Sequence, residues 1–213
     1  VVRSRGLGDV YKRQIYDRIV SNPNLDDDPS APLSVNEGIG RVNGMEIMVR
    51  QAPVNNLFGW LSYTLSKAER NDDPNGDGEW YRFDFDQTHI LVLLGGYQFP
   101  YDIGVSGRMQ YVTGNPYTPF SGGVYDIDQD SYTAFPSGET NTERQPPFFA
   151  IDARVDKLFT FKKWQLETYL DLLNVVRGEN PEDIQYNYDY TESQWISGLP
   201  FIPSPGFNAQ FYF

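Results

Sequence analysis

No cysteine occurs in the sequence, which excludes disulfide bonds and thiol chemistry. No run of about 20 apolar residues occurs either, and because only 39% of the residues are hydrophobic, a transmembrane helix is excluded. Basic residues are few, 17 against 29 acidic ones, and the formal net charge of −12 argues against nucleic-acid binding. The 213 residues suffice for one domain of ordinary size.

Aromatic side chains, by contrast, are abundant. The chain has 15 Tyr, 14 Phe and 4 Trp, which together make up 15% of its residues. Disordered chains are poor in aromatic residues, so this composition argues against disorder. A polar chain with many rings predicts a β-structure that displays those rings on its surface.

The first 14 residues, VVRSRGLGDVYKRQ, differ from the rest. They contain four of the 17 basic residues and share no period with the following sequence. The segment resembles translated adapter or vector sequence, so residues 1–14 are left out of the fold argument and 15–213 are treated as one domain. This interpretation implies that the natural protein extends upstream. A genuine basic N-terminal arm is the alternative.

Apolar residues recur at every second position through most of the chain, which is the period of a β-strand. In WQLETYLDLLN, Trp164, Leu166 and Leu170 fall on one face and Gln165 and Glu167 on the other. The same alternation runs through FFAIDARVDKLFTF, IGVSGRMQY, NGMEIMVRQ and LFGWLSYTLSKAER. The middle of HILVLLGGYQF is apolar on both faces, so its orientation stays open.

The chain ends in GFNAQFYF, which places apolar side chains on one face up to the last residue: Phe207, Ala209, Phe211 and Phe213, opposite Asn208 and Gln210. A free C-terminus is normally polar and frayed. An apolar covering on one side of this last segment explains the pattern.

Eight strands are predicted, and the links between them alternate strictly between short and long. The strands lie near residues 15–20, 38–51, 57–70, 83–99, 103–114, 148–161, 164–177 and 206–213. An up-and-down antiparallel sheet has this pattern when its tight turns lie at one end and its long loops at the other. Soluble sandwiches have Greek-key connections and no such rule.

The predicted strands have about ten to fourteen residues, whereas the common length is about five or six. A tilted strand that crosses a bilayer needs about nine to eleven residues. Long strands, apolar-out alternation and aromatic ends are typical of an outer-membrane barrel, in which lipid covers the outward side chains. An aromatic girdle is expected at the short-turn end, from Tyr97, Phe99, Phe159, Phe161, Trp164 and Phe213. The alternative is a soluble β-sandwich whose second sheet covers these rings.

Seven blocks of the sequence, in this order, resemble the C-terminal barrel of TonB-dependent outer-membrane receptors. They are GRVNGMEIMVRQ, GWLSYTLSKAER, FDQTHILVLLGGYQF, GRMQYVTGNPYTP, FFAIDARVDKLF, WQLETYLDLLNVV and PSPGFNAQFYF. The chain departs from the family pattern at Asn43, where an aromatic residue is frequent.

The resemblance implies the last eight strands of a 22-stranded barrel, with a plug domain and a TonB-engaging motif upstream. It also implies a location in the outer membrane of a Gram-negative bacterium and import of a scarce substrate: an iron chelate, cobalamin or an oligosaccharide. No enzymatic activity is expected. Eight strands cut from such a wall predict an open curved sheet whose edges, 15–20 and 206–213, do not pair. A complete small barrel of eight strands, or a passive porin or anchor, is the alternative.

The family places the chain end in the periplasm, so the long loops 21–37, 71–82, 115–147 and 178–205 are expected outside the cell. Aromatic faces suit sugars and planar chelates. The candidate substrate-binding residues are the loop aromatics Trp80, Tyr81, Tyr117, Tyr125, Tyr132 and Trp195. Packing of these rings within the loops is the competing explanation.

One loop, DPNGDGEWYRFD, has the spacing of a calcium-binding loop. Asp73, Asn75, Asp77 and Asp84 occupy positions one, three, five and twelve, with a glycine at six. The twelfth residue is Asp rather than the usual Glu. The sequence predicts a Ca²⁺ site here, and an ordinary acidic turn is the alternative.

Overall fold

A computed structural model of the chain describes residues 4–22, 30 and 32–212. The described residues form fifteen β-strands and one short 3-10 turn, Pro100–Asp102. In chain order the strands are β1 (Ser4–Ser21), β2 (Ser34–Val54), β3 (Leu57–Asn71), β4 (Tyr81–Arg82), β5 (His89–Phe99), β6 (Ile103–Val112), β7 (Pro116–Tyr117), β8 (Phe120–Asp126), β9 (Ser131–Pro136), β10 (Glu143–Arg144), β11 (Phe148–Thr160), β12 (Trp164–Leu173), β13 (Asp183–Tyr186), β14 (Ser193–Ile196) and β15 (Ile202–Phe211). None of the described residues belongs to a helix long and apolar enough to cross a membrane.

The eight long strands form one antiparallel sheet in the order β1-β2-β3-β5-β6-β11-β12-β15, and β4 adds two residues to β3. Every consecutive pair in this order is antiparallel, so the predicted up-and-down topology is confirmed. The strands β1 and β15 lie at opposite edges and do not pair with each other over the described residues, so the sheet is not closed. The remaining short strands form three two-stranded sheets within the long loops.

The strand β1 begins earlier than the sequence predicted. A strand was expected near residues 15–20, whereas residues 4–14 also pair with β2, up to Ser4 opposite Gln51. An extended sheet edge offers backbone groups that pair with any extended chain, whatever its side chains. Because the pairing does not depend on where the segment comes from, the adapter origin of residues 1–14 stays a prediction.

The strand registers assign each side chain of the sheet to one of two faces. On the first, here called the apolar face, one row across five strands consists of Val49, Leu61, Leu93, Met109 and Ile151. Phe207, Ala209 and Phe211 lie on the same face, opposite Thr168, Leu166 and Trp164. The register also settles the orientation of β5, because Leu91 and Leu93 share this face with Tyr63 and Leu61.

The second face, here called the polar face, carries charged side chains that pair across strands. Arg108 lies opposite Asp152 and contacts its carboxylate at 2.6 Å. Arg154 contacts Asp171 at 3.2 Å and Glu167 at 2.9 Å. Such opposite-charge pairs are typical cross-strand contacts.

The apolar face is not covered by any second layer of the described chain. Only Val20, Ala68 and Ala150 are buried hydrophobic residues in this part of the protein. Leu93, in the middle of the sheet, remains 43% exposed, and Phe207 on the edge strand is 76% exposed. The alternative of a β-sandwich core is therefore wrong for the described residues.

Aromatic rings gather at the short-turn end of the apolar face, where the sequence predicted a girdle. The Phe161 and Trp164 rings stack with centroids 4.3 Å apart, and Trp164 stacks on Phe211 at 5.8 Å. Tyr97 and Phe99 meet edge to face at 4.7 Å. Phe213, also predicted for the girdle, lies outside the described residues.

The edge strand β15 fits closely against β12 at one glycine. A Cβ atom added at Gly206 would clash with the Tyr169 ring, which covers this backbone. The guanidinium carbon of Arg154 lies over the Tyr169 ring, 3.9 Å from the centre of that ring. The small residue therefore lets Tyr169 lie flat on the polar face.

We expect Gly206→Val to displace the Tyr169 ring and destabilise the protein by about 1–3 kcal/mol, the usual cost of overpacking. Gly138→Val is the control, because a Cβ atom there meets nothing within 4 Å. Urea unfolding followed by tryptophan fluorescence measures both variants. Equal midpoints for the two variants would contradict the predicted role of Gly206.

Candidate functional site

Three long loops that the structure describes throughout lie at one end of the sheet, opposite the short turns; part of the fourth predicted loop, 21–37, lies outside the described residues. The three loops span residues 72–88, 113–147 and 174–201. Successive antiparallel strands reverse direction, so every second connection returns to the same end. The loops contain all the short strands, β4, β7–β10, β13 and β14. All six candidate substrate-binding aromatics and all four candidate calcium ligands lie in this region.

Buried asparagine side chains hold these loops against the ends of the long strands. Asn71 is 0% exposed; its Nδ2 donates to the Gly78 carbonyl at 2.7 Å, and its Oδ1 accepts from the Asp73 amide at 2.8 Å. Asn174 likewise bonds backbone groups of Gly178 and Leu199. No pattern in the sequence pointed to these residues, because asparagine is also common in exposed turns.

A second anchor joins the start of β5 to the loop 113–147. Asp86 is 2% exposed, and its carboxylate accepts hydrogen bonds from the Arg144 guanidinium and from the Ala68 amide. Arg144 also donates to the Asp86 and Gly114 carbonyls. This ion pair fixes where the loop leaves the sheet. The sequence placed Asp86 at a strand start but did not predict its partner.

Four of the candidate aromatics lie where the loops 113–147 and 174–201 meet. The rings of Tyr117 and Trp195 contact edge to face at 5.6 Å. Tyr132 contacts Tyr125 at 5.3 Å and Tyr188 at 5.2 Å. These two groups of rings link two loops that are far apart in sequence, and we call them together the aromatic cluster.

Hydrogen bonds reinforce this contact between hairpins. The Tyr188 hydroxyl donates to the Asp130 carbonyl at 2.7 Å, and the Phe120 amide donates to the Tyr186 hydroxyl at 3.3 Å. The Tyr125 hydroxyl donates to the Asp130 carboxylate, a bond that raises the pKa of Tyr125. The rings therefore present a surface that the loops themselves order.

The other two candidate aromatics, Trp80 and Tyr81, lie apart from this cluster and line a cleft of about 570 Å³. We call it the loop cleft; its lining includes Lys67, Glu69, Glu79, Trp80, Arg82 and Glu139. The Arg41 guanidinium lies 4.0 Å from the centre of the Trp80 ring. A hydrogen bond with Glu139, together with repulsion between the two carboxylates, raises the pKa of Glu79.

The Tyr81 hydroxyl takes part in two hydrogen bonds. It donates to the Asp72 carboxylate at 2.8 Å and accepts from the Arg18 guanidinium at 2.8 Å. Burial, reinforced by the Asp72 carboxylate, raises the pKa of Tyr81 to about 12. The hydroxyl therefore stays protonated at neutral pH and acts as a donor within the loop.

Two of the four candidate calcium ligands, Asp73 and Asp84, have protein partners. The Asp73 carboxylate accepts from the Asn75 amide at 2.7 Å, as in an ordinary Asx turn, and Asp84 accepts from the Asn141 side chain at 2.6 Å. Among the described residues, no three His, Cys, Asp or Glu side chains are grouped to hold a metal ion. The calcium site at Asp73, Asn75, Asp77 and Asp84 stays a prediction.

The arrangement of the sheet is also found in a known receptor. No family model matches the chain, and no curated protein matches it. The crystal structure of the closed form of the ferric-catecholate import receptor Fiu from E. coli K12 is similar, with a TM-score of 0.63 and 17% identity over 99% of this chain. The chain spans 25% of that receptor's chain. At this identity the likeness shows the fold: an open antiparallel sheet that matches a fragment of a β-barrel.

We expect Asp86→Ala to destabilise the protein by about 3 kcal/mol, because it leaves the Arg144 guanidinium and the Ala68 amide without their buried acceptor. The loop 113–147 should then be cleaved faster by protease, while the strands remain protected. Asp128→Ala, in the exposed turn between β8 and β9, removes the same charge and is the control. Unchanged cleavage in Asp86→Ala would contradict the anchoring role.

Proposed function

We propose that this chain is the C-terminal part of the barrel of a TonB-dependent receptor, an active transporter in the outer membrane of a Gram-negative bacterium. The observation that carries the proposal is the uncovered apolar face, backed by a polar face of paired charges. Lipid tails cover such a face without a second protein layer, and in lipid every backbone group must bond to a neighbouring strand. The likeness to an import receptor supports the same interpretation.

The proposed partners are the membrane lipid on the apolar face and, through parts of the protein outside this chain, a plug domain and the TonB complex. The polar face would then line the barrel interior, where its charged pairs would meet the plug. The long loops would face the outside of the cell and meet the substrate first.

The substrate is proposed to dock on the loop aromatics, and the aromatic cluster around Tyr117, Tyr125, Tyr132 and Trp195 is the better candidate within this chain. Ring faces and edges suit planar iron chelates and sugars. Because the cluster joins two hairpins, the rings are held in place before a ligand arrives, which lowers the entropic cost of binding. An iron chelate is supported by the named cargo of the similar receptor, a ferric catecholate; cobalamin and oligosaccharides remain in the proposed class.

Uptake by cells that express the whole protein tests this function. Radiolabelled ferric catecholate, cobalamin and oligosaccharides are offered separately, with and without an uncoupler of the inner-membrane proton gradient. We expect one of them to accumulate in the cells and the uncoupler to abolish accumulation. Uptake that persists with the uncoupler would indicate a passive barrel and contradict the proposal.

The lipid-facing assignment predicts a difference between two neighbouring residues of β5. Leu93→Arg puts a charge on the apolar face and should destabilise the protein in lipid vesicles by about 2–4 kcal/mol. Val92→Arg, on the polar face between Ser62 and Gln110, is the matched control and should cost much less. Urea unfolding in vesicles measures both, and equal losses would contradict a lipid-covered apolar face.

A further inference from the structure

The loop cleft opens on the outward side of the sheet, the side of the apolar face. In β3, Lys67 and Glu69 continue the alternation of Leu61, Tyr63 and Leu65, so their side chains share that face. Arg41 lies opposite Glu69 and bonds it at 2.8 Å, and Trp80 lies on Arg41. The β3 residues that line the cleft therefore lie on the same side of the sheet as the exposed apolar side chains.

The cleft also begins where the apolar side chains end. On β2 and β3 the last apolar pair is Met45 with Leu65, and the next pair on the same face is Asn43 with Lys67. Two residues of a strand span about 7 Å. From Leu57 to Leu65 the outward positions fit one crossing of a hydrocarbon layer, for which about nine to eleven residues are needed. Lys67 therefore lies at the height of the lipid headgroups at the long-loop end.

The chemistry of the cleft suits a sugar ring. Trp80 offers an indole, and the carboxylates of Glu79 and Glu139 accept hydrogen bonds from hydroxyl groups. Lys67 and Arg82 add positively charged hydrogen-bond donors. A volume of about 570 Å³ is within the usual size of a small-molecule site and has room for more than one ring.

We propose that the loop cleft binds the sugar headgroup of a glycolipid in the outer leaflet of the membrane. This inference rests on the proposed function, since it requires the apolar face to lie in lipid. A ligand that passed through the barrel would meet the polar face, whereas the loop cleft is on the other side of the wall. The occupant is thus a lipid neighbour, distinct from the transported substrate.

The experiment uses the whole protein that contains this chain, purified from outer membranes, with fluorescent lipopolysaccharide in lipid vesicles as the probe. Trp80→Ala should weaken binding about tenfold, the effect of one lost stacking ring. Trp80→Phe should recover part of the affinity, because it restores a smaller ring. Glu139→Ala should also weaken binding, and Glu192→Ala, an exposed loop carboxylate outside the cleft, is the matched control and should have no effect.

The same sugars, released from the lipid as free oligosaccharide, form the second arm. Binding of free oligosaccharide as tight as that of lipopolysaccharide would show a site for soluble sugar and overturn the proposal. Unchanged lipopolysaccharide binding in both Trp80→Ala and Glu139→Ala, with the protein in the outer membrane, would overturn the cleft assignment alone. Absence of the protein from the outer-membrane fraction would overturn the proposed function, and this inference with it.

Discussion

Hydrogen bonding between antiparallel neighbours is the constraint on which this structure depends. Eight long strands pair in sequence order, and almost nothing else covers the sheet, since the described residues bury three hydrophobic side chains. In a water-soluble domain the burial of apolar surface is the dominant favourable term in folding. Here the hydrogen bonds between neighbouring strands hold the strands in place, and no part of the described chain covers the apolar face. A covering of lipid requires such complete backbone pairing, because lipid tails offer no hydrogen bonds.

Burial in this protein is concentrated at the long-loop end, and there it is polar. Asn71 and Asp86 are among the most buried side chains. Asn71 bonds backbone groups of the loop that follows it, and Asp86, within that loop, accepts from the Ala68 amide of β3 and from Arg144. A buried polar group is costly unless it is fully bonded, so these contacts hold a loop in one arrangement more strictly than apolar packing would. Buried polar contacts therefore order the loops at the long-loop end of the sheet, which is also the end where substrate binding is proposed.

Two kinds of recognition are proposed at the long-loop end. The aromatic cluster of the hairpins β8–β9 and β13–β14 is the proposed place for a transported ligand, while the loop cleft around Trp80 lies on the outward side of β3. Residues 80 and 81 illustrate how this comes about. Trp80 packs on Arg41, whereas the hydroxyl of Tyr81 turns to Asp72 and Arg18. Neighbouring residues in extended chain point in opposite directions, so adjacent aromatics serve different surroundings.

The sequence by itself determined the eight long strands, their order and which end has the long loops. It also determined which face of most strands is apolar. These features follow from a period of two and from alternating short and long links, both of which are local properties of the sequence. It did not determine the early start of β1, which depends on pairing with β2, or the orientation of β5, whose middle is apolar on both faces. Only the tertiary structure joined Asp86 to Arg144 and Tyr117 to Trp195, and separated Trp80 from the other aromatics. Asp86 and Arg144 are 58 positions apart in the sequence, Tyr117 and Trp195 are 78 apart, and Trp80 is 39 positions from Arg41, on which it packs. No local pattern encodes which of these distant segments meet.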